Sequence, residues 1–338
     1  MPLEFSWQLP LCAAGAAPDW TAQPGHWIQL AQAVEYAGVD GLWIPGGSQC
    51  ADSLGVAAAL CAHTRHLQLT VSVPPQVMLP AALASTVQSL QSISSNRVRL
   101  HLPDSQQSTA RHTFDDWLNR DQRSESIGEY LDILGRLLRS GDGGFTYSGR
   151  YFQLENAGYA RRDLPAPPIV LNDSQSPALI ASQAQVCLLR AAPPAQLRQA
   201  IERQRAASPE PSTPLAFACT FGLILADTEA LAWEAAARQL PALPAAPTSE
   251  ADSVLRLQRG GHPLRHFEIH PNLLQTAPGQ PAYLIGTPQQ LATRLQELHG
   301  LGIEHIVIQS QPSVSDVLRF GEQVLPLLAA QGLRKENA

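Results

Sequence analysis

The chain has 338 residues, a formal net charge of −6 and a charged fraction of only 15%. It contains no run of basic residues and no patch that mixes basic with aromatic residues, which argues against nucleic-acid binding. No apolar stretch approaches the roughly 18 residues of a membrane-spanning helix, and no secretory signal pattern opens the chain. We therefore expect a cytoplasmic protein that binds neither nucleic acid nor membrane.

Eight short stretches are predicted to be strands, because they are apolar or alternate apolar with polar residues between Gly and Pro. They are residues 4–9, 41–44, 67–73, 98–102, 169–171, 186–189, 216–225 and 303–309. Segments of helical periodicity separate them, and this alternation predicts a parallel α/β architecture. The length fits a (β/α)8 TIM barrel with insertions. An open doubly wound sheet is the alternative, but no Gly-x-Gly-x-x-Gly turn follows any predicted strand.

Residues 1–330 are predicted to form one barrel domain, followed by a short tail over 331–338. The helical period is lost over 103–126 and 241–283, which are predicted insertions. Between them we expect a helix over 127–138 and a hairpin over 145–154. Because active sites of such barrels lie at the carboxyl ends of the strands, the predicted site opening comprises residues 10–14, 46–50, 103–107, 172–176 and 309–311.

One helix–strand–loop–helix step can be read in full over residues 34–54. Gly38 is placed to end a helix in the left-handed conformation. Residues 41–44 are a short apolar strand, and Cys50 lies in the polar, Gly-containing loop after it. Asp52 or Ser53 is predicted to cap the next helix. Cys50 is therefore expected on the catalytic face of the barrel.

The cysteines and histidines predict neither a disulfide framework nor a metal site. The cysteines are odd in number, scattered and never in a Cys-x-x-Cys spacing, so we expect reduced thiols at Cys12, Cys50, Cys61, Cys187 and Cys219. Three histidines recur at a spacing of four, but prolines interrupt the segment and no Glu joins the set. They are His262, His266 and His270.

Several segments together resemble the bacterial luciferase-like flavin monooxygenases, and most closely the alkanesulfonate monooxygenase branch. The similar segments are residues 3–10, 41–52, 145–152, 269–272, 284–288, 301–303 and 319–327. The resemblance implies a (β/α)8 barrel that uses reduced FMN and O2 to oxygenate a small organosulfonate or related organic compound. It further implies a separate NAD(P)H:FMN reductase as partner and a homo-oligomer, either a dimer or a tetramer. The deazaflavin F420 remains an alternative cofactor.

The same resemblance assigns site residues. Cys50 and His101 fall at catalytic positions, with His101 in the place of an asparagine after the fourth strand. The residues matched to cofactor binding are Asp104, Arg120, Arg123, Ser174, Gln175 and Ser176. Other family positions are substituted, and the residues found there are Cys12, Ala191, Ala192, Thr220, Gly222 and Gln311.

Each assignment has a structural alternative. Cys50 is either a polar contact to the substrate or an ordinary half-buried cysteine. His101 pairs with Asp104 for general acid–base work or is a hydrogen-bonded structural histidine. Ser174 contributes to a phosphate site or, like Asp173, caps the following helix, and a carboxylate at Asp173 disfavours phosphate. The arginines of the polar segment supply compensating charge or are simply solvated.

Two hypotheses for function follow. The first is a reduced-FMN-dependent monooxygenase, and the second is a catalytically degenerate barrel that acts as a partner subunit or ligand-binding protein. Thr220 and Gly222 stand where the resemblance places an arginine and a histidine. Because charge-assisted contacts to a desolvated anion contribute about 1.5–3 kcal/mol each, we expect simple alkanesulfonates to be poor substrates. This expectation fails if arginines from elsewhere in the chain, such as Arg97 or Arg265, replace the missing ones and bind the sulfonate.

Overall fold

The computed structural model describes residues 2–11, 23–47, 50–104, 117–139, 144–158, 164–207, 214–240, 263–276, 280–309 and 313–334. Its strands are β1 (Glu4–Gln8), β2 (Gly41–Ile44), β3 (Gln68–Ser72), β4 (Val98–Leu102), β5 (Phe145–Ser148), β6 (Gln153–Ala157), β7 (Ile169–Asn172), β8 (Val186–Leu189), β9 (Ala216–Leu225), β10 (Glu268–His270), β11 (Leu273–Gln275), β12 (Ala282–Gly286) and β13 (His305–Ile308). Its α-helices are α1 (Pro24–Tyr36), α2 (Ser53–Cys61), α3 (Pro80–Ser94), α4 (Arg120–Arg139), α5 (Pro177–Gln183), α6 (Pro194–Ala206), α7 (Glu229–Gln239), α8 (Pro288–Gly300), α9 (Val314–Gln323) and α10 (Leu325–Ala330).

Eight parallel strands close into a barrel. Hydrogen bonds run through β1, β2, β3, β4, β7, β8, β9 and β13, and β13 pairs again with β1. The predicted (β/α)8 TIM barrel is therefore confirmed, and all eight predicted strands are present. Closure removes free strand edges, and the helices cover the outside with a continuous apolar core.

A small antiparallel sheet extends the barrel at β9. This strand is ten residues long. Its C-terminal half pairs with β12, and its N-terminal half pairs with β13. Strands β10, β11 and β12 form antiparallel neighbours. Beside β12, the ring of Tyr283 lies where a side chain on Gly222 would be, since a Cβ there would come within 2.1 Å of ring carbon Cδ1. The sequence did not predict β10–β12. Strands β10 and β11 have only three residues each, which is too short for a periodic signal, and β12 begins inside the predicted insertion.

The helix boundaries follow the local signals in the sequence. Gly38 has φ 76° after α1, as predicted for its left-handed position. The Asp52 carboxylate accepts a hydrogen bond from the Gly55 amide at 2.6 Å and so caps α2. Thr287 forms a capping box with Gln290 at the start of α8.

The start of α4 and the extent of the insertions are the two predicted boundaries that do not simply match the structure. The helix expected over 127–138 begins at Arg120, so the interpretation of residues 120–126 as a loop is wrong. Residues 120–126 are polar and show no helical period, and so the sequence did not predict these first turns of the helix, in which Arg123 is buried. The predicted insertions otherwise fall largely on residues 105–116 and 241–262, which lie outside the described residues, as do Cys12 and Gln311.

The interior of the barrel is arranged in three layers. Near the amino ends of the strands, polar groups meet as the ion pair Glu4–Arg99 and the hydrogen bond Ser6–His305. The middle is a separate apolar cluster made of Trp43, Val170, Val186, Leu188, Ala218 and Val307. Above it, at the carboxyl ends, the inward side chains are polar again. This upper layer faces the mouth, where the site lies in this architecture.

None of the helices in these residue ranges combines the length and the apolar character needed to cross a membrane.

Candidate active site

Two connected depressions lie at the carboxyl ends of β4, β7, β8 and β9. The larger is a cleft of about 1010 Å³ bounded by the start of α4, the loops after β7 and β8, and α6. The smaller is an axial pocket of about 300 Å³ directly over the barrel interior. Arg190 and Ala191 line both. Ligand sites are concave and few in number, so these are the candidate site of the protein.

The cleft is cationic. Four arginines and two aspartates line it, which gives a net charge of +2, and they are Arg120, Arg123, Arg190, Arg203, Asp104 and Asp173. Gln175 is 7% exposed at the cleft wall. Its Oε1 accepts a hydrogen bond from the backbone amide of Asn172 at 3.0 Å, whereas its buried amide nitrogen Nε2 has no partner. An unpaired buried donor is costly, so this nitrogen would gain from an acceptor supplied on the cleft side.

The six residues matched to cofactor binding come together here. Asp104, Arg120, Arg123, Ser174 and Gln175 line the cleft, and Ser176 lines an adjoining depression that shares all five. They derive from three separate stretches of chain. Their assignment to the cofactor remains a proposal, but the fold places them around one cavity.

Asp173 lies between two of the arginines. Its Oδ1 is 3.8 Å from Nε of Arg190, and its side chain is 15% exposed. Burial raises the pKa of the Asp173 carboxyl, while Arg190 and more weakly Arg203 oppose that shift. The negative charge therefore lies inside the cationic cleft and partly neutralises it.

His101 is held as a neutral imidazole. Its Nε2 is 3.1 Å from Oδ1 of Asn172, an atom that also accepts the amide hydrogen of Asp104 at 3.2 Å. Because that oxygen can only accept, Nε2 donates, and Nδ1 accepts the hydroxyl hydrogen of Ser72 at 2.9 Å. Burial lowers the pKa of His101 to about 4. Both ring nitrogens are thus engaged by groups other than the Asp104 carboxylate, and the ring is a fixed neutral donor rather than a charged acid.

The axial pocket is lined mainly by neutral groups. The indole of Trp43 lies 4.8 Å from the His101 ring, centroid to centroid. The remaining lining residues are Gln8, Asn172, Leu188, Leu189, Arg190, Ala191, Thr220, Gly222, Gln280, Pro281, Ala282 and Gln309. Such a mixture of amides, one hydroxyl and apolar walls suits a small organic molecule.

The prediction that all five cysteines are reduced is wrong for Cys50, which is disulfide-bonded. Cys61, Cys187 and Cys219 are free and buried. Chain spacing failed because it does not show which loops the fold brings together. Cys50 is half-buried against the core and is not among the residues that line the cleft or the axial pocket. Its catalytic role stays a prediction.

Sequence reasoning missed Arg190 and Arg203. They lie after β8 and on α6, in segments without a motif, and only the fold brings them to the cleft. The arginines considered as substitutes are elsewhere. Arg97 donates to backbone carbonyl groups at the opposite end of the barrel, and Arg265 pairs with Glu229.

Structural comparison finds the same fold in several solved enzyme structures. A long-chain alkane monooxygenase superposes with a TM-score of 0.79 at 16% identity, covering 100% of this chain and 93% of that chain. The EDTA monooxygenase from Chelativorans sp. BNC1 superposes with a TM-score of 0.75 at 15% identity, covering 100% and 96%. An F420-dependent secondary alcohol dehydrogenase gives 0.72 at 18% identity, covering 97% and 99%. At these identities the likeness shows the shared fold.

The sequence itself gives the family. Residues 3–305 match the luciferase-like monooxygenases, a range that holds both the closed barrel up to the start of β13 and the cationic cleft at its mouth. The chain therefore belongs to the luciferase-like monooxygenase family.

Proposed function

We propose that this protein is a monooxygenase that uses reduced FMN and O2 to oxidise a small organic compound. The observation that carries the proposal is a cleft lined by four arginines, with the unpaired Nε2 of Gln175 in its wall. A phosphate group offers negative charge to the arginines and acceptor oxygens to their N–H groups and to neutral donors.

The residues present fit the phosphate of FMN. Arg120, Arg123 and Arg203 supply charge, and Ser174 and Gln175 supply neutral donors. Bound reduced FMN would supply the electrons with which O2 is activated for transfer of one oxygen atom to the substrate. A separate NAD(P)H:FMN reductase is the proposed source of that flavin. F420 is the competing cofactor, because an F420-dependent alcohol dehydrogenase shares the fold.

The axial pocket is the proposed substrate chamber. Trp43 and the leucines exclude water from its walls, and the Nε2–H of His101 is fixed by Asn172 and Ser72. We propose that simple alkanesulfonates are poor substrates. A sulfonate distributes charge over three oxygens, and the described residues of the pocket offer one cation instead of the several that a desolvated anion of this type needs.

Anaerobic titration of the full chain with reduced FMN tests the proposal. We expect micromolar binding, weakened at least tenfold in Arg203→Gln and in Gln175→Ala. The matched control is Arg198→Gln, an exposed residue on the same helix α6 that does not line the cleft. No binding at near-millimolar flavin favours the second hypothesis, a barrel that has lost flavin chemistry. Binding of F420 in place of FMN would show that the cofactor is F420, and the cleft would remain the cofactor site.

Sulfite release separates the substrate classes. With a supplied FMN reductase, we expect little sulfite from short alkanesulfonates. Rapid sulfite release would show that the axial pocket binds a sulfonate well with a single arginine, and the proposed preference would then be wrong.

A further inference from the structure

Arg190 occupies the junction of the two cavities. It follows β8 directly, lines both the cationic cleft and the axial pocket, and has a side chain that is 60% exposed. The other three arginines of the cleft do not line the axial pocket. Arg190 is therefore the cation of the cleft that is placed to serve a molecule in the axial pocket.

Among the described residues that line the axial pocket, Arg190 is the only one with a charge. The others are amides, one hydroxyl, apolar groups and His101, a buried ring whose two nitrogens are hydrogen-bonded to Ser72 and Asn172. Within the described part of the chain, a negatively charged ligand group in this pocket thus has one ionic partner, and a second anionic group on the same ligand would have none.

The tie between Arg190 and the protein is loose. Its Nε lies 3.8 Å from Asp173 Oδ1, which is beyond hydrogen-bond distance. An arginine offers five N–H donors in a planar fork, so most of its hydrogen-bonding capacity faces ligand or solvent. The fork matches the two coplanar oxygens of a carboxylate, whereas a sulfonate leaves its third oxygen without a charged donor.

We propose that Arg190 is the specificity-determining residue of the axial pocket and that it selects a small organic substrate with a single carboxylate group. This inference rests on the proposed function, since it assigns the substrate side of the same site. Asp173 holds the guanidinium near the junction before the substrate arrives, and the carboxylate of the substrate then takes its place as the partner of Arg190.

Binding of matched probes tests the inference on the full-length protein. Hexanoate, hexane-1-sulfonate and hexan-1-ol share one chain and differ in the head group. Quenching of tryptophan fluorescence reports binding, because Trp43 lines the pocket. We expect hexanoate to bind at least tenfold more tightly than hexan-1-ol and more tightly than hexane-1-sulfonate. Loss of the quench in Trp43→Phe would locate the probe in the axial pocket.

Variants then assign the preference to one side chain. Arg190→Gln should weaken hexanoate at least tenfold and leave hexan-1-ol within twofold, and Arg190→Lys should restore part of the preference, because lysine keeps the charge without the fork. Arg198→Gln should change neither probe. An unchanged affinity for hexanoate in Arg190→Gln, or no saturable binding of hexanoate to the unmodified protein, overturns the inference.

Flavin titration keeps this inference separate from the proposed function. Arg190→Gln should bind reduced FMN within threefold of the unmodified protein, whereas Arg203→Gln should not. If Arg190→Gln loses FMN and keeps hexanoate, Arg190 serves the phosphate, and only the inference fails. If the unmodified protein binds no FMN, the proposed function fails whatever the probes show.

Discussion

The two ends of the barrel handle charge in opposite ways. At the amino ends of the strands, Arg334 forms a two-point ion pair with Asp40, whose carboxylate also accepts the Phe5 amide hydrogen. The guanidinium of Arg97 donates hydrogen bonds to neighbouring carbonyl groups and to a hydroxyl. At the carboxyl ends, Gln175 keeps an unpaired amide nitrogen, and the guanidinium of Arg190 lies 3.8 Å from its ion-pair partner Asp173.

This difference separates stability from function. A paired, buried charge holds elements together but is not available to a ligand, and an unpaired group costs stability until a ligand binds. The amino-terminal end of the barrel, here called the closed end, joins chain segments that are far apart in sequence, as Arg334 and Asp40 show. The carboxyl-terminal end, here called the open end, has hydrogen-bond donors that are available to a ligand. Substitutions at the closed end should therefore change stability, whereas substitutions at the open end should change ligand binding.

The largest effect is expected from Arg97→Met at the closed end. Arg97 is 8% exposed and donates to Ser94, Thr64 and Leu67. Methionine fills part of the volume but leaves those acceptors buried without a donor, so we expect a loss of about 3 kcal/mol or more in the free energy of unfolding. Denaturant unfolding measures it, with the exposed Arg198→Met as control. A loss below about 1 kcal/mol would show that the network at this end is not a stabilising one.

The next effect concerns pH and places one buried histidine at each end. Burial lowers the pKa of both His101 and His305 to about 4, from an ordinary value of 6.5. Below pH 6.5 the unfolded chain therefore binds protons that the folded chain does not, and stability falls on acidification. We expect a loss of about 2 kcal/mol per histidine between pH 7.5 and pH 5.

The variant His305→Gln tests that prediction, because glutamine can keep a hydrogen bond to Ser6 and does not titrate. Its unfolding free energy should fall about half as steeply over the same pH range. An unchanged slope would show that His305 takes up its proton in the folded state.

An intermediate effect of opposite sign is expected at the open end from Asp173→Asn. Removing this carboxylate takes away a negative charge that acts on both Arg190 and Arg203. Affinity for reduced FMN should then rise by about 1–2 kcal/mol, or roughly 5-fold to 30-fold, with little change in stability at neutral pH. Asp132→Asn, whose carboxylate pairs with Arg136 on the surface, is the control. Weaker FMN binding in Asp173→Asn would place Asp173 among the groups that hold the ligand.

The smallest effect is expected from Glu4→Gln. The Glu4–Arg99 pair has an N–O distance of 2.9 Å, but the Glu4 side chain is 38% exposed, so solvent screens it. We expect a change of about 0.5 kcal/mol or less in the free energy of unfolding. A loss above about 2 kcal/mol would mean that the lower layer of the barrel acts as one cooperative network that includes this pair.

The architecture was predictable from sequence because its signal is local and repeated. Each barrel strand is an apolar or alternating run with Gly, Pro or a capping residue at its ends, as Gly38 and Asp52 illustrate. The first two turns of α4 were missed, since the hydrophobic period begins only at Ile127 while Arg123 is buried through tertiary contacts.

The candidate site was predictable only in part, and for a physical reason. Resemblance gave Ser174, Gln175 and Arg123, which lie in recognisable stretches. Arg190 and Arg203 are ordinary surface arginines by sequence, and they reach the cleft because β8 and α6 lie beside β7 in the closed barrel. The disulfide at Cys50 likewise depends on which loops meet.

The contact between Gly222 and Tyr283 couples two positions for any redesign of the mouth. Gly222 stands where the family resemblance places a histidine, and the Tyr283 ring fills the space in which a Cβ would lie. The single substitution Gly222→His would meet that ring and force it to move. A histidine is therefore introduced at this position together with a smaller residue at Tyr283.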